Sequence, residues 1–171
     1  MFRTLADFRT AWAQEATTTL AVLAAIPDAS AAQTVCEGHR SLLRMAWHLV
    51  ESLIEMPGHM GLAMRDQGLI QGYAIGDPPA TLAEVAETYT RASTDLLAGL
   101  EAWTDATLLL EDDMYGSQWP RGRSLFVLLV HQTHHRGQMT VLMRQAGLKV
   151  PDIYGPAKEG WAAYGAEPPK V

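Results

Sequence analysis

Four stretches of this chain carry apolar residues at alternating three- and four-residue steps, and that period restricts the fold more than any other feature. Such spacing lines up one stripe of an α-helix, and the stripe must be buried against another element. Leu5, Phe8, Trp12, Ala16, Leu20 and Leu23 mark the first stretch, predicted helical over residues 4–26 with Pro27 as its stop. The three threonines at 17–19 are weak helix formers, so packing has to hold them. A second helix is predicted to begin near Ser41, with Leu42, Met45, Leu49, Leu53 and Met56 on its apolar face and His48 beside that face. Pro57-Gly58 are expected to kink or end it, leaving residues 59–66 open to a short continuation. Thr81 and Glu84 have capping-box spacing. From there Leu82, Val85, Tyr89, Ser93, Leu96 and Leu100 trace a third helix to about Trp103. The fourth is predicted from about Ser124 to Ala146, with Gly147 placed to terminate it.

The intervening segments read as connections. Residues 71–80 hold two glycines and Pro78-Pro79, and residues 104–122 combine an acidic run with Gly116, Pro120 and Gly122. Short extended pieces fit there, but no alternation of sheet length appears. From about residue 148 the chain is predicted irregular, its rings Tyr154, Trp161 and Tyr164 expected to wrap it against the body. These elements predict an all-α four-helix bundle in a single domain spanning 1–171, with long connections. Periodicity alone leaves the up-and-down order of the helices open.

Composition limits what such a bundle does. A chain of 171 residues, 48% apolar and 19% charged, buries about 68–70% of its extended surface. It needs neither disulfide nor metal merely to fold. Cys36 is the single cysteine, which rules out an internal disulfide and a cysteine zinc cluster. It is expected to be a buried or half-buried small residue, with a reactive thiol as the alternative. The net charge of −6 opposes nucleic-acid binding. It is unevenly spread, at −10 over residues 1–120 and +4 over residues 121–171. The amino terminus places charges where a leader would be apolar, and no apolar run reaches the roughly twenty residues that span a bilayer. A soluble, cytoplasmic protein without membrane contact is expected.

Histidines carry the chemistry. His131 and His135 stand one turn apart on the predicted fourth helix, directly after the apolar run LFVLLV. That spacing lets two imidazoles grip one divalent ion, whereas His134 points about 100° away from His135. A third ligand must come from another helix, and His48 leads because it borders a core stripe. His39 and His59 fall near predicted ends, where solvent or capping roles fit better. Three nitrogens leave coordination positions open, the form of a catalytic site rather than a structural one.

The stretch VHQTHHRGQMTVLMRQAG, with the earlier histidine in MAWHLVESL, resembles the signature of the DinB-like family within the DinB/YfiT superfamily. The resemblance runs over essentially the whole chain. It implies a four-helix bundle of up-down-down-up connectivity, a homodimer, and a nickel or zinc ion held by His48, His131 and His135. Related bundles include thiol S-transferases that use bacillithiol or mycothiol and a mycothiol-dependent maleylpyruvate isomerase.

Neighbours of the triad complete the expected site. Glu51 and Glu55 lie three and seven residues after His48, placed to accept a ligand's second ring N–H or, for Glu55, a proton above the metal. A solvated helix surface is the ordinary role for both. Arg136 and Arg144 are candidates for a substrate carboxylate, with ion pairs to other helices as the ordinary role. Gly137 is expected to permit close helix packing, and Gln138 to hydrogen-bond across that contact. Trp12, Trp47 and Tyr89 are assigned to the core or to pocket walls. The chain has no GxSxG, no GxxxxGK[ST] and no HExxH, since residue 132 is Gln. The reading is therefore a divalent-metal-dependent enzyme on a small molecule, a low-molecular-weight thiol among the candidates, by thiol transfer or hydrolysis. The alternative is a non-catalytic metal-binding, stress-associated homodimer.

Overall fold

The computed structural model describes residues 2–71 and 74–170. Helix α1 (Leu5–Ala24) starts from a reciprocal cap, in which Thr4 Oγ1 accepts from Asp7 N and the Asp7 carboxylate accepts from Thr4 N. It ends two residues before the predicted limit. Helix α2 (Leu42–His59) begins at Ser41, whose hydroxyl accepts from Arg44 N. Pro57 does not end it, because a proline in the last turn forfeits only one intrahelical bond. The stop is Gly61, at φ +77°, where Gly61 N donates to Gly58 O and Leu62 N to Pro57 O in a Schellman closure. Residues 60–66 accordingly leave the helix instead of continuing it.

Helix α3 (Leu82–Gly99) carries the predicted Thr81–Glu84 capping box and tightens into a 3-10 turn over Leu100–Ala102. Helix α4 (Arg121–Gln145) starts three residues earlier than predicted. It closes on Gly147 as expected, with Gly147 N donating to Arg144 O and Leu148 N to Met143 O. Two short antiparallel ribbons lie between helices. Strands β1 (Ile70–Gln71) and β2 (Ala74–Ile75) flank Gly72 and Tyr73, which lie outside the described residues. Strands β3 (Glu111–Met114) and β4 (Ser117–Pro120) turn through Tyr115-Gly116, both at positive φ. That two-residue turn matches strand twist, and it delivers the chain straight into α4.

Cross-helix contacts fix the bundle order. Phe2 meets Phe126 and Thr19 meets Arg136, so α1 and α4 run parallel. Trp12 Nε1 donates to Ser93 Oγ at 2.8 Å. The Asp28 carboxylate receives Leu82 N and Gln33 O receives Leu42 N, which puts the starts of α3 and α2 at the same loop. Their far ends meet where a Cβ on Gly99 would lie 3.1 Å from Leu62 Cδ2. These two helices are thus parallel, both antiparallel to the α1–α4 pair, giving up-down-down-up. Parallel neighbours require the chain to return along α2's roughly 27 Å length, which explains the long 60–81 connection. The core fills between the helices with Phe8, Trp12, Tyr89, Leu49, Leu53, Leu96 and Leu128, all fully buried. No described helix is long and apolar enough to cross a membrane.

Several expectations are corrected. Gly137 faces solvent, and a Cβ at that position would meet nothing within 4 Å, so close packing within the chain is not its role. Cys36 is exposed, because the loop before α2 runs over the surface. The tail does dock on the body, through Leu148, Val150 and Ile153 and through the Tyr154 hydroxyl, which donates to the Glu15 carboxylate at 2.7 Å, whereas the Tyr164 ring is 66% exposed.

Candidate metal centre

Two helices present three imidazoles to one point. His131 and His135 stand one turn apart on α4, and His48 faces them from antiparallel α2, with ring centroids 4.4–5.0 Å apart. One nitrogen from each ring lies within 4.8 Å of the others. His135 Nε2 and His131 Nε2 are 3.1 Å apart. The helix faces are locked to this arrangement by Gln132, buried one residue along, whose Nε2 donates to Leu49 O at 2.9 Å and to Ser52 Oγ at 3.2 Å. His134 is exposed and stands outside the cluster, as its direction on the helix predicts.

The second nitrogen of each ring shows how the inward one is aimed. His135 Nδ1 pairs with Gln138 Oε1 at 2.7 Å. An amide oxygen only accepts, so Nδ1 carries the proton and Nε2 keeps its lone pair for the centre. Gln138 thus serves the ring on its own helix rather than a contact across helices. His48 Nδ1 faces Glu51 Oε2 at 3.6 Å, and Glu51 is buried. Arg44 Nη2 donates to Glu51 Oε1 at 3.2 Å, while Arg44 Nη1 reaches Gly76 O at 2.6 Å. Arg44, Glu51 and His48 thus line up along α2, with the Glu51 carboxylate between the guanidinium and the ring. Sequence reasoning missed Arg44; its signal was a cation two turns before Glu51 on the same helix.

Electrostatics agree with this geometry. Burial, then the charges of His135 and His48, pushes the His131 ring down to about 3. Burial likewise lowers His135 to about 4, opposed in part by its bond to Gln138. Both rings are neutral at pH 7, so protons do not compete for their lone pairs. Buried Nδ1 atoms of His48 and His131 make no hydrogen bond. Three imidazole nitrogens facing one point suit a divalent first-row ion, and the residues fit such a group.

Other predicted site residues lie elsewhere. Glu55 sits two turns along α2 from His48, with Oε1 3.8 Å from His59 Nε2 and Oε2 accepting from Tyr115 OH at 3.5 Å. Arg136 is 1% exposed and turned into the bundle, where it contacts the Glu15 carboxylate, Thr19 Oγ1 at 3.0 Å and Tyr154 OH at 2.6 Å. Arg144 is held by Glu159 on the tail, at 2.8 Å. Both arginines therefore answer acids of the chain itself, and the Arg136–Glu15 pair sets one base of the excess after residue 120 against an acid before it. A cleft of about 410 Å³ opens beside the triad with His135 and Gln138 in its wall. Val35, His39 and Arg40 from the loop before α2 form its opposite side.

Comparison with known proteins agrees with the fold. The DinB family model matches residues 1–170. The uncharacterized protein YrdA of Bacillus subtilis (strain 168) is 41% identical over 172 residues, covering 100% of each chain. The crystal structure of a DinB-like protein from Bacillus cereus ATCC 10987 superposes with a TM-score of 0.81 at 35% identity, covering 90% of this chain and 100% of that one. A second DinB-like protein, YjoA of Bacillus subtilis, shares the fold with a TM-score of 0.63 at 20% identity, covering 82% and 92% of the two chains. With a full-length family match and a full-length relative well above the identity that fixes a family, the chain belongs to the DinB family.

Proposed function

We propose that the chain is a divalent-metal-dependent enzyme that transfers a low-molecular-weight thiol to a small electrophile, with nickel or zinc held by His48, His131 and His135. The observation that carries this reading is the cleft, since His135 belongs both to the triad and to the wall of a cavity large enough for a small molecule. A purely structural ion would be enclosed by protein ligands on all sides, so the cleft speaks against the non-catalytic alternative. An ion bound there would supply Lewis acidity, lowering the proton affinity of a thiol or water that reaches it. Gln138 holds the His135 ring in orientation, the Glu51 carboxylate lies beside His48 Nδ1, and Gln132 keeps the two helices in register. Thiol transfer is preferred over hydrolysis on the family resemblance. The same resemblance supports a homodimer, and the outward side of α4, where Phe126 and Val130 are exposed, supports a second copy there.

Elemental mass spectrometry on untagged protein tests the centre. About one nickel or zinc per chain is expected, lost in His48→Ala and His131→Ala and kept in His134→Ala. Metal-loaded protein is then assayed for consumption of a thiol with an electrophile. Turnover without thiol would assign hydrolysis, and equal metal in all variants would remove the ligand assignment. Light scattering on wild type and Val130→Glu tests the dimer.

A further inference from the structure

The cleft has a polarity that the triad does not explain. Its two lips are apolar and turned to solvent, with Val35 and Val141 each 56% exposed. Met45 and Leu142 line it more deeply, and both are buried. Among these apolar side chains stands Arg40, exposed on the loop before α2. Arginines in this chain are mostly tied to acids: Arg44 to Glu51, Arg65 to Asp95, Arg91 to Asp66, Arg121 to Asp112. Arg40 has no carboxylate within 4.0 Å among the described residues, although the whole chain is acidic. A guanidinium left free on the rim of an apolar cavity is matched by a planar anion with a hydrophobic body.

We infer that the substrate taken into this cleft is a small amphipathic carboxylate, its apolar part lying against Met45 and Leu142 and its carboxylate held by the Arg40 guanidinium. This rests on the triad being the reactive centre, since the anchored molecule would then present its other atoms toward His135. Arg40 is a specificity-determining residue in this arrangement and takes no part in holding the ion. Neither candidate considered from sequence, Arg136 or Arg144, fills the role, because Glu15 and Glu159 occupy them.

The test is binding rather than turnover. Phenylbutyrate and its uncharged counterpart phenylbutyramide are titrated by calorimetry into zinc-loaded wild type, Arg40→Gln and Arg40→Lys, and into chelator-treated protein. A charge-assisted contact on a partly solvated rim predicts about tenfold preference for the acid. That preference should weaken with added salt, vanish in Arg40→Gln, survive in part in Arg40→Lys, and persist without zinc. Methyl chemical shifts of Val35 and Val141 should move on titration. Absent acid binding, equal binding of acid and amide, or a preference unchanged in Arg40→Gln would overturn the inference. A preference that disappears only with the zinc would assign the carboxylate to the ion and overturn it as well. Because the chelator-treated arm reads Arg40 alone, failure of the metal reading and failure of this one are separable.

Discussion

Replacing Glu15 by Ala should destabilise the bundle far more than an ordinary polar substitution. Glu15 is 5% exposed and Arg136 1%. Arg136 Nη1 donates to Thr19 Oγ1 and to Glu15 O, and Nη2 serves the Glu15 carboxylate and Tyr154 OH. Truncating Glu15 leaves three of these four contacts in place but removes the only countercharge among the described residues. An arginine cannot shed its proton to escape burial, so the guanidinium stays charged in a poorly solvated site. Breaking a buried pair from one side costs about 3–5 kcal/mol. Tyr154 admits some water at one edge, which points to the lower end, about 3 kcal/mol. For a chain of this size that corresponds to a loss of roughly 6–12 °C in Tm. Urea unfolding of metal-free protein should show it as a lower midpoint at unchanged m-value. The paired replacement Glu15→Leu with Arg136→Met should recover most of the loss, since removing both charges also removes both desolvation costs. A Glu15→Ala cost below about 1 kcal/mol, or a double variant as unstable as the summed singles, would refute the reasoning.

Glu51→Gln and Gln138→Leu should each weaken metal affinity by about 10–100-fold while leaving the fold intact, measured by competition with a chelator; unchanged affinity would strip both of their positioning role. The metal-free protein should lose stability as pH falls from about 6.5, because the unfolded rings protonate there while folded His131 and His135 resist until about 3 and about 4. The unfolded chain binds more protons across that window, so stability rises with pH within it and is complete above it. Urea midpoints of wild type and His131→Asn across this range check the sign, and identical slopes would contradict it. Thr81→Ala should cost about 1 kcal/mol in urea unfolding through loss of the α3 cap; a change of a few tenths would show the cap to be idle.

Local chemistry was legible from the amino acids alone wherever a short-range rule governs it. The four helices, the Thr81 and Glu84 cap, the Gly147 terminus and the one-turn spacing of His131 and His135 all follow from backbone geometry within a few residues. His48 was within reach because its helix carries a clear apolar stripe and few polar residues beside it. The family signature supplied the up-down-down-up order that periodicity leaves open. What sequence could not supply depends on which side chains meet across helices. Arg136 looked available for substrate until Glu15, 121 positions away, was found beside it, and Gln138 belonged to His135 rather than to another helix. Pro57 reads as a kink or an end because the rule against proline weighs most in a helix interior, whereas the Schellman closure at Gly61 settles that end. Arg40 gave no local signal at all. An exposed arginine in a loop is ordinary in any sequence, and only the packing of that loop over α2 and α4 sets it beside the histidines. Helix propensity and spacing act over one or two turns, so the sequence determined the elements and two of the metal-facing rings. Pairing of buried charges and the walls of the cleft arise from contacts between distant residues, so the tertiary structure decided them.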